Sequence, residues 1–239
     1  MKNSCSTNRK RGTLFFLCLF KWASLGCLLT VWSGCGSAPE ITAAQSYTRF
    51  ADAIERGDYE EIEASVSKAS LTRFDVWNAW ILVGKREDLK MLPPFDRYIV
   101  LLSRMLHDNL SSAHWEALDN ERKSKSRSYV VNTLMGETLA FLLTDFRVGE
   151  LSYSGEVSGA PLFRGAIRFP VQARLVLEDG SWKVDATTML SDLFQEEFRR
   201  VAGDQYRNRD RIAELMAILY GERFGEFLYS APLESIRER

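Results

Sequence analysis

The stretch IRFPVQARLVLEDGSWKV, Ile167–Val184, decides the fold. Every odd-numbered residue from Ile167 to Leu177 is apolar: Ile167, Phe169, Val171, Ala173, Leu175 and Leu177. Most even positions are polar, with Arg168, Gln172, Arg174 and Glu178 among them. Side chains alternate sides along a strand, so this pattern predicts one half-buried strand. Pro170 cannot donate to a strand ladder, which predicts an edge position or a bulge. Glu178-Asp179-Gly180-Ser181 is a hairpin turn, and Trp182, Val184 and Ala186 continue the inward face on the return. Two earlier strands are expected over 146–154 and 156–163, joined around Gly155.

Upstream the period lengthens. Tyr47, Phe50, Ala51 and Ile54, then Tyr59, Ile62 and Val66, recur at helical steps, with Gly57-Asp58 breaking the run into two helices. Asp58 suits an N-cap, and Glu60 and Glu61 suit the first turn after it. A third helix is expected from near Thr72, carrying Phe74, Trp77, Trp80 and Ile81. Pro94 opens a fourth, long helix with the stripe Tyr98, Leu101 or Leu102, Met105, Leu106 and Leu110. DNERKSKSR, Asp119–Arg127, reads as a charged connector before a helix over about 128–145. Downstream, Leu190, Leu193, Phe194, Phe198 and Val201 form one helical stripe, and Ile212, Leu215, Met216, Leu219 and Tyr220 another. Helices, an antiparallel meander and further helices make an α+β chain.

YTRFADAIERGDYEEIEASVS (Tyr47–Ser67) and FPVQARLVLEDGSWKVDATTM (Phe169–Met189) together resemble the nuclear transport factor 2-like superfamily. The resemblance covers residues 45–190. It implies a cone: a curved antiparallel sheet wrapped around N-terminal helices, with a pocket between them. Residues 191–239 would then form a C-terminal helical extension. Members of that superfamily include isomerases, dehydratases, polyketide cyclases and domains without chemistry, so the fold alone assigns no activity.

The first 34 residues differ in kind from the rest. They hold Lys2, Arg9, Lys10, Arg11 and Lys21 and no Asp or Glu. The remaining chain has 26 Lys and Arg against 32 acids, a balance of −6. A mildly acidic domain is a poor match to nucleic acid, which is bound by neutralising phosphates. All four cysteines (Cys5, Cys18, Cys27, Cys35) fall in or at the end of this segment. The rest of the chain therefore has no disulfide, thiolate metal ligand or cysteine nucleophile.

A basic start, the apolar run Thr13–Trp32 and the small residues Ser33-Gly34 before Cys35 form an export signal. The segment resembles a bacterial lipoprotein signal, in which the cysteine after the cut receives the acyl chains. That resemblance makes Cys35 the lipid attachment site and residues 35–44 a tether. It implies an exported protein held at the membrane on the extracytoplasmic side, in the cell envelope. An uncleaved anchor is the alternative, since the 20 residues Thr13–Trp32 are long enough to cross a bilayer. Lys21 near its middle weighs against spanning, at about 2.5–3.5 kcal/mol.

No catalytic, cofactor or metal residue is singled out. His107 and His114 are seven apart, too far for one metal on a helix, and read as a helix-surface pair. No Gly-x-Ser-x-Gly elbow or phosphate loop occurs. Trp77 and Trp80 fit core or rim packing better than ligand stacking. Arg199, Arg200, Arg207, Arg209 and Arg211, interleaved with Asp204 and Asp210, are a local basic cluster, read as solvated surface before headgroup contact. The leading expectation is a binding or scaffold domain for an envelope partner or a small apolar ligand. The alternative is an isomerase- or cyclase-like enzyme using the cone pocket, which requires an acid or base on the inner face of the sheet. Replacing Cys35 by Ser should abolish incorporation of labelled fatty acid and leave the precursor uncut; continued labelling would refute the assignment.

Overall fold

Local sequence sets the helix ends. Thr42 and Gln45 form a capping box before α1 (Ala43–Arg56), and Gly57 closes that helix in the left-handed conformation at φ 64°. The Asp58 side chain then accepts from the Glu61 backbone N–H and starts α2 (Tyr59–Ser65). Ser67 caps α3 (Lys68–Val83), which therefore starts one turn before the expected Thr72. α4 (Arg86–Met91) and α5 (Pro94–Leu106) follow, with Pro94 in the first turn of α5. The structure, a computed structural model, describes residues 41–123, 127–202 and 212–233.

Two expectations for this half change. α5 ends at Leu106 with His107 as its cap, so the stripe stops before Leu110. α6 (Ser112–Lys123) takes in most of the stretch read as a charged connector. Asp119 is buried there and pairs with Lys123 one turn on. α7 (Arg127–Leu143) packs against α2, where the Tyr59 ring lies so close that a Cβ on Gly136 would stand 2.4 Å from it.

The sheet is antiparallel and curled, with β1 (Phe146–Val148), β2 (Ser152–Ser154), β3 (Val157–Arg164), β4 (Ile167–Glu178) and β5 (Ser181–Val184). β1 and β2 both pair with the same side of β3, β1 along 162–164 and β2 along 157–159. They are one expected strand broken at Gly149. Gly155, at φ 62°, turns β2 into β3. β3 pairs with β4, and β4 with β5. The β4–β5 turn places Asp179 at φ 50° and Gly180 at φ 77°, the pair of left-handed residues that Asp-Gly favours.

Pro170 sits in a bulge. Pairing shifts from Pro161↔Gln172 to Phe163↔Arg168, leaving Leu162 opposite the segment Phe169–Val171. The alternation holds where helices cover the sheet: Val171, Ala173, Leu175, Trp182 and Val184 are buried, while Gln172 and Arg174 are exposed. Ile167, beside the Gly165 turn, is 69% exposed and breaks the pattern. Ala186 is buried as expected, but it opens α8 (Ala186–Ala202) instead of extending β5. α8 runs without a break across residue 190, and Ile41 onward forms one compact unit. The Val66–Val184 bridge and the Ser67 N–H to Val184 carbonyl bond, 2.9 Å, seal the edge of β5.

α8 and α9 (Ile212–Tyr220) bury their expected stripes against α5. Phe194 and Phe198 lie 5.0 and 5.1 Å from the Tyr98 ring, and the Tyr98 and Tyr220 hydroxyls bond at 2.6 Å. The chain then returns through the short turns Gly221–Arg223 and Glu226–Tyr229 to Arg104. The fold is α+β: N-terminal helices on a curled, cone-like sheet, with C-terminal helices.

Arg104 is 2% exposed. Its Nε donates to the Ile81 carbonyl at 2.9 Å, and its Nη2 to Trp80 at 2.9 Å and Gly84 at 2.7 Å. Its Nη1 donates to the Leu228 carbonyl at 2.8 Å and Ser230 at 3.1 Å. Replacing it by Met removes these bonds from a buried site, leaving the Trp80 carbonyl only its bond from the Gly84 N–H. We expect Arg104→Met to cost at least about 3 kcal/mol in urea unfolding, since each buried carbonyl left without a donor costs about 1–3 kcal/mol. Arg104→Lys, with a point charge in place of the planar fork, should recover only part of that.

Candidate functional site

Two clefts open among the described residues. The smaller, about 210 Å³, lies between α1 and the α7–β1 junction, lined by Tyr47, Phe50, Ile54, Leu143 and Phe146 with Asp52 and Glu55 alongside. It is an apolar slot, and burial alone pushes the Tyr47 hydroxyl up to about 12.

The larger, about 480 Å³, is lined by β2, β3, β4 and one flank of α8. Cross-strand register explains its chemistry. Gly159 pairs with Arg174 and Ser152, and Pro161 with Gln172. Residues opposite one another share a face, so Ser152, Gly159, Gln172 and Arg174 stand on the side away from Leu175 and Val184. That agrees with the outward parity expected for Arg174. Gly159 has no side chain to obstruct Gln172, whose Oε1 would lie 2.9 Å from a Cβ there.

α8 supplies the wall through its own cap. The Asp185 carboxylate accepts from the Thr188 N–H at 3.3 Å and from the Ser70 hydroxyl at 3.4 Å. Ser70 Oγ in turn accepts from the Thr187 N–H at 3.1 Å. This knot fixes the helix start against α3 and places Thr188 and Asp192, four residues apart, over the cleft. Arg174 Nε stands 3.5 Å from Asp185 Oδ2. Partial burial pushes the Asp192 carboxyl up; Arg174 pulls it down and Asp185 adds to the rise.

The inner face differs. On β3, β4 and β5 it presents Ala160, Leu162, Val171, Ala173, Leu175, Trp182 and Val184, with Ser158 buried among them. Ser158 donates to the Ser152 carbonyl at 3.1 Å. Glu150 and Glu156 are exposed; Tyr153, opposite Ser158, is on the inner side but 58% exposed, with its ring edge-on to Trp182. At the far end Arg164 lies 4.6 Å over the Phe146 ring and bonds Glu197 at 2.8 Å, tying β3 to α8.

Other singled-out residues separate. His107 is not on a helix surface: it is 2% exposed at the end of α5, edge-on to Trp115. Its Nδ1 is 3.4 Å from a Glu137 carboxylate oxygen, and its Nε2 is buried with no partner. His114, on α6, is bonded to Ser111 at 2.8 Å, so the two histidines sit on separate helices. Trp77 is core, donating to the buried Asp96 at 2.8 Å, and Arg73 closes on the same carboxylate. Trp80 is half-buried packing. Arg199 and Arg200 pair with Glu196 and Glu197. Arg207, Arg209, Arg211, Asp204 and Asp210 lie outside the described residues, as do Cys35 and Thr13–Trp32. Among the described residues no group of acids and histidines is placed to hold a metal ion, and no helix is long and apolar enough to cross a membrane.

Sequence reasoning missed Asp192 and the cap at Asp185. The signal was present: Asp185 three residues before Thr188, and Asp192 one turn later, flanking an apolar stripe. No family model, curated protein or solved structure matches the chain.

Burial is the largest influence on His107 and holds its pKa below the ordinary 6.5, against the opposing pull of Glu137 and the Leu134 carbonyl. The unfolded chain thus binds a proton that the folded state resists. Stability should be full above about pH 6.5 and fall as pH drops through it towards the lower folded value. His107→Gln should flatten that slope in urea titrations between pH 7 and 5.

Proposed function

We propose that the chain is an exported, membrane-tethered domain that works by binding, and that it presents the cleft on the outer face of its sheet to a partner in the cell envelope. One contrast carries the reading. The inner face, where a cone-type enzyme keeps its acid or base, is packed with apolar side chains. The outer cleft instead brings together polar groups, Gln172 and Arg174 from the sheet and Asp192 from α8. Pockets that recognise ligands combine such space, roughly 300–1,000 Å³, with a few convergent polar groups.

Tethering rests on the N-terminal sequence, with lipid on Cys35 or an uncleaved Thr13–Trp32 anchor as its two forms. The curled sheet with helices on its inner side is also what a nuclear transport factor 2-like ancestry implies. The isomerase- or cyclase-like alternative gains nothing from Glu150 or Glu156, which are exposed.

The test is photo-crosslinking of the full-length protein in its membrane. A photoreactive residue in place of Gln172 should give a discrete adduct with an envelope component. One in place of the exposed Glu60, on α2, should give none. Equal labelling from both positions, or none from either, would sink the reading.

A further inference from the structure

We propose that the outer cleft takes a zwitterion, an amino-acid-like unit or short peptide whose carboxylate meets Arg174 and whose ammonium meets Asp192. This rests on the binding reading and names what is bound.

The two charges stand across one cleft and act on each other, yet form no ion pair among the described residues. Arg174 has a single contact, Nε to Asp185 at 3.5 Å, and its Nη groups make no hydrogen bond there. Asp185 holds the Thr188 N–H and the Ser70 hydroxyl on Oδ1 and faces Arg174 Nε with Oδ2, which steadies the guanidinium and leaves its Nη groups for a ligand. The Asp192 carboxylate makes no hydrogen bond among the described residues, and its partial burial disfavours the charged form. A carboxylate held this way gains from a cation placed beside it.

Charge selects the ligand class. A simple anion at Arg174 is repelled by Asp185 and Asp192. A simple cation at Asp192 is repelled by Arg174. A neutral ligand that displaces water leaves the Asp192 carboxylate and the Nη groups of Arg174 without partners, which costs free energy. A molecule carrying both charges offers each a charge-assisted hydrogen bond, the stronger kind. Gln172 adds an amide donor and acceptor over Gly159, and Thr188 adds a hydroxyl. Those groups match the peptide units of a short chain.

The test is a ruler of zwitterions. Glycine, glycylglycine and triglycine, whose end charges are progressively further apart, are titrated calorimetrically into the full-length protein in detergent. We expect saturable binding of at least one member. N-acetylating that ligand, or amidating its carboxylate, should weaken it at least about tenfold, the loss of one charge-assisted bond. Arg174→Gln and Asp192→Asn should each do the same with an unchanged melting temperature. Asp192→Asn, at a carboxylate that makes no hydrogen bond among the described residues, keeps the test open if Arg174→Gln unfolds the protein. No binding by any member, equal binding of a blocked form, or equal competition by inorganic phosphate or methylammonium alone would overturn the proposal. A discrete Gln172 crosslink with a negative ruler would overturn this inference and leave the binding reading standing.

Discussion

The buried guanidinium of Arg104 is the constraint on which the helical half depends. Taking a charge out of water costs several kcal/mol unless its donors are met. Here the carbonyls of Trp80, Ile81, Gly84, Leu228 and Ser230 meet them. Trp80 and Ile81 belong to the last turn of α3, whose carbonyls carry the negative end of the dipole; that of Trp80 also accepts from the Gly84 N–H at 3.0 Å. The cation answers that dipole. Gly84 takes part because it is glycine: a Cβ there would stand 2.6 Å from the Trp80 carbonyl oxygen. One side chain on α5 thereby fixes the end of α3 and the C-terminal turn. Arg86 fastens the same turn from outside, bonding Glu226 at 2.7 Å and lying over the Tyr229 ring.

The cleft inherits its geometry from that frame through two connections. Tyr98 on α5 packs on Phe194 and Phe198, which sets the position of α8. Ser70 on α3 bonds the cap of α8, which sets where that helix begins. Asp192 is thus held from both sides, while Arg174 is held by strand register. Among the described residues the two charges line one cleft without forming an ion pair.

Much of this was legible because periodicity reports which side of an element is covered. The alternation from Val171 to Leu175, the Asp179-Gly180 turn, the Gly57-Asp58 break and the Pro94 start are all local signals, and each matches the structure. What periodicity omits is the fate of a polar residue on a covered face. Arg104 lies within LLSRML beside apolar neighbours, and nothing local says that carbonyls 20 and more residues away will receive it. Asp119 looked like part of a solvated charge run, yet it is buried against Lys123. His107 looked like surface because the turn that ends α5 beside it was not recognised. The cleft was the least legible, since Asp192 and Arg174 meet only after the hairpin, the cap and α8 are all in place.

Charge also constrains how such a domain stays at a membrane. Anionic leaflets attract basic patches at about 1 kcal/mol per residue near the surface. Past residue 34 the chain carries −6. Arg199 and Arg200, the described part of the basic cluster, are each engaged by a glutamate on the same helix. Net charge therefore does not favour adhesion to an anionic surface, and the proposed hold rests on the N-terminus. Under that proposal, a partner held in the same membrane would be met at high local concentration, which favours a shallow polar cleft of modest affinity over a deep apolar one.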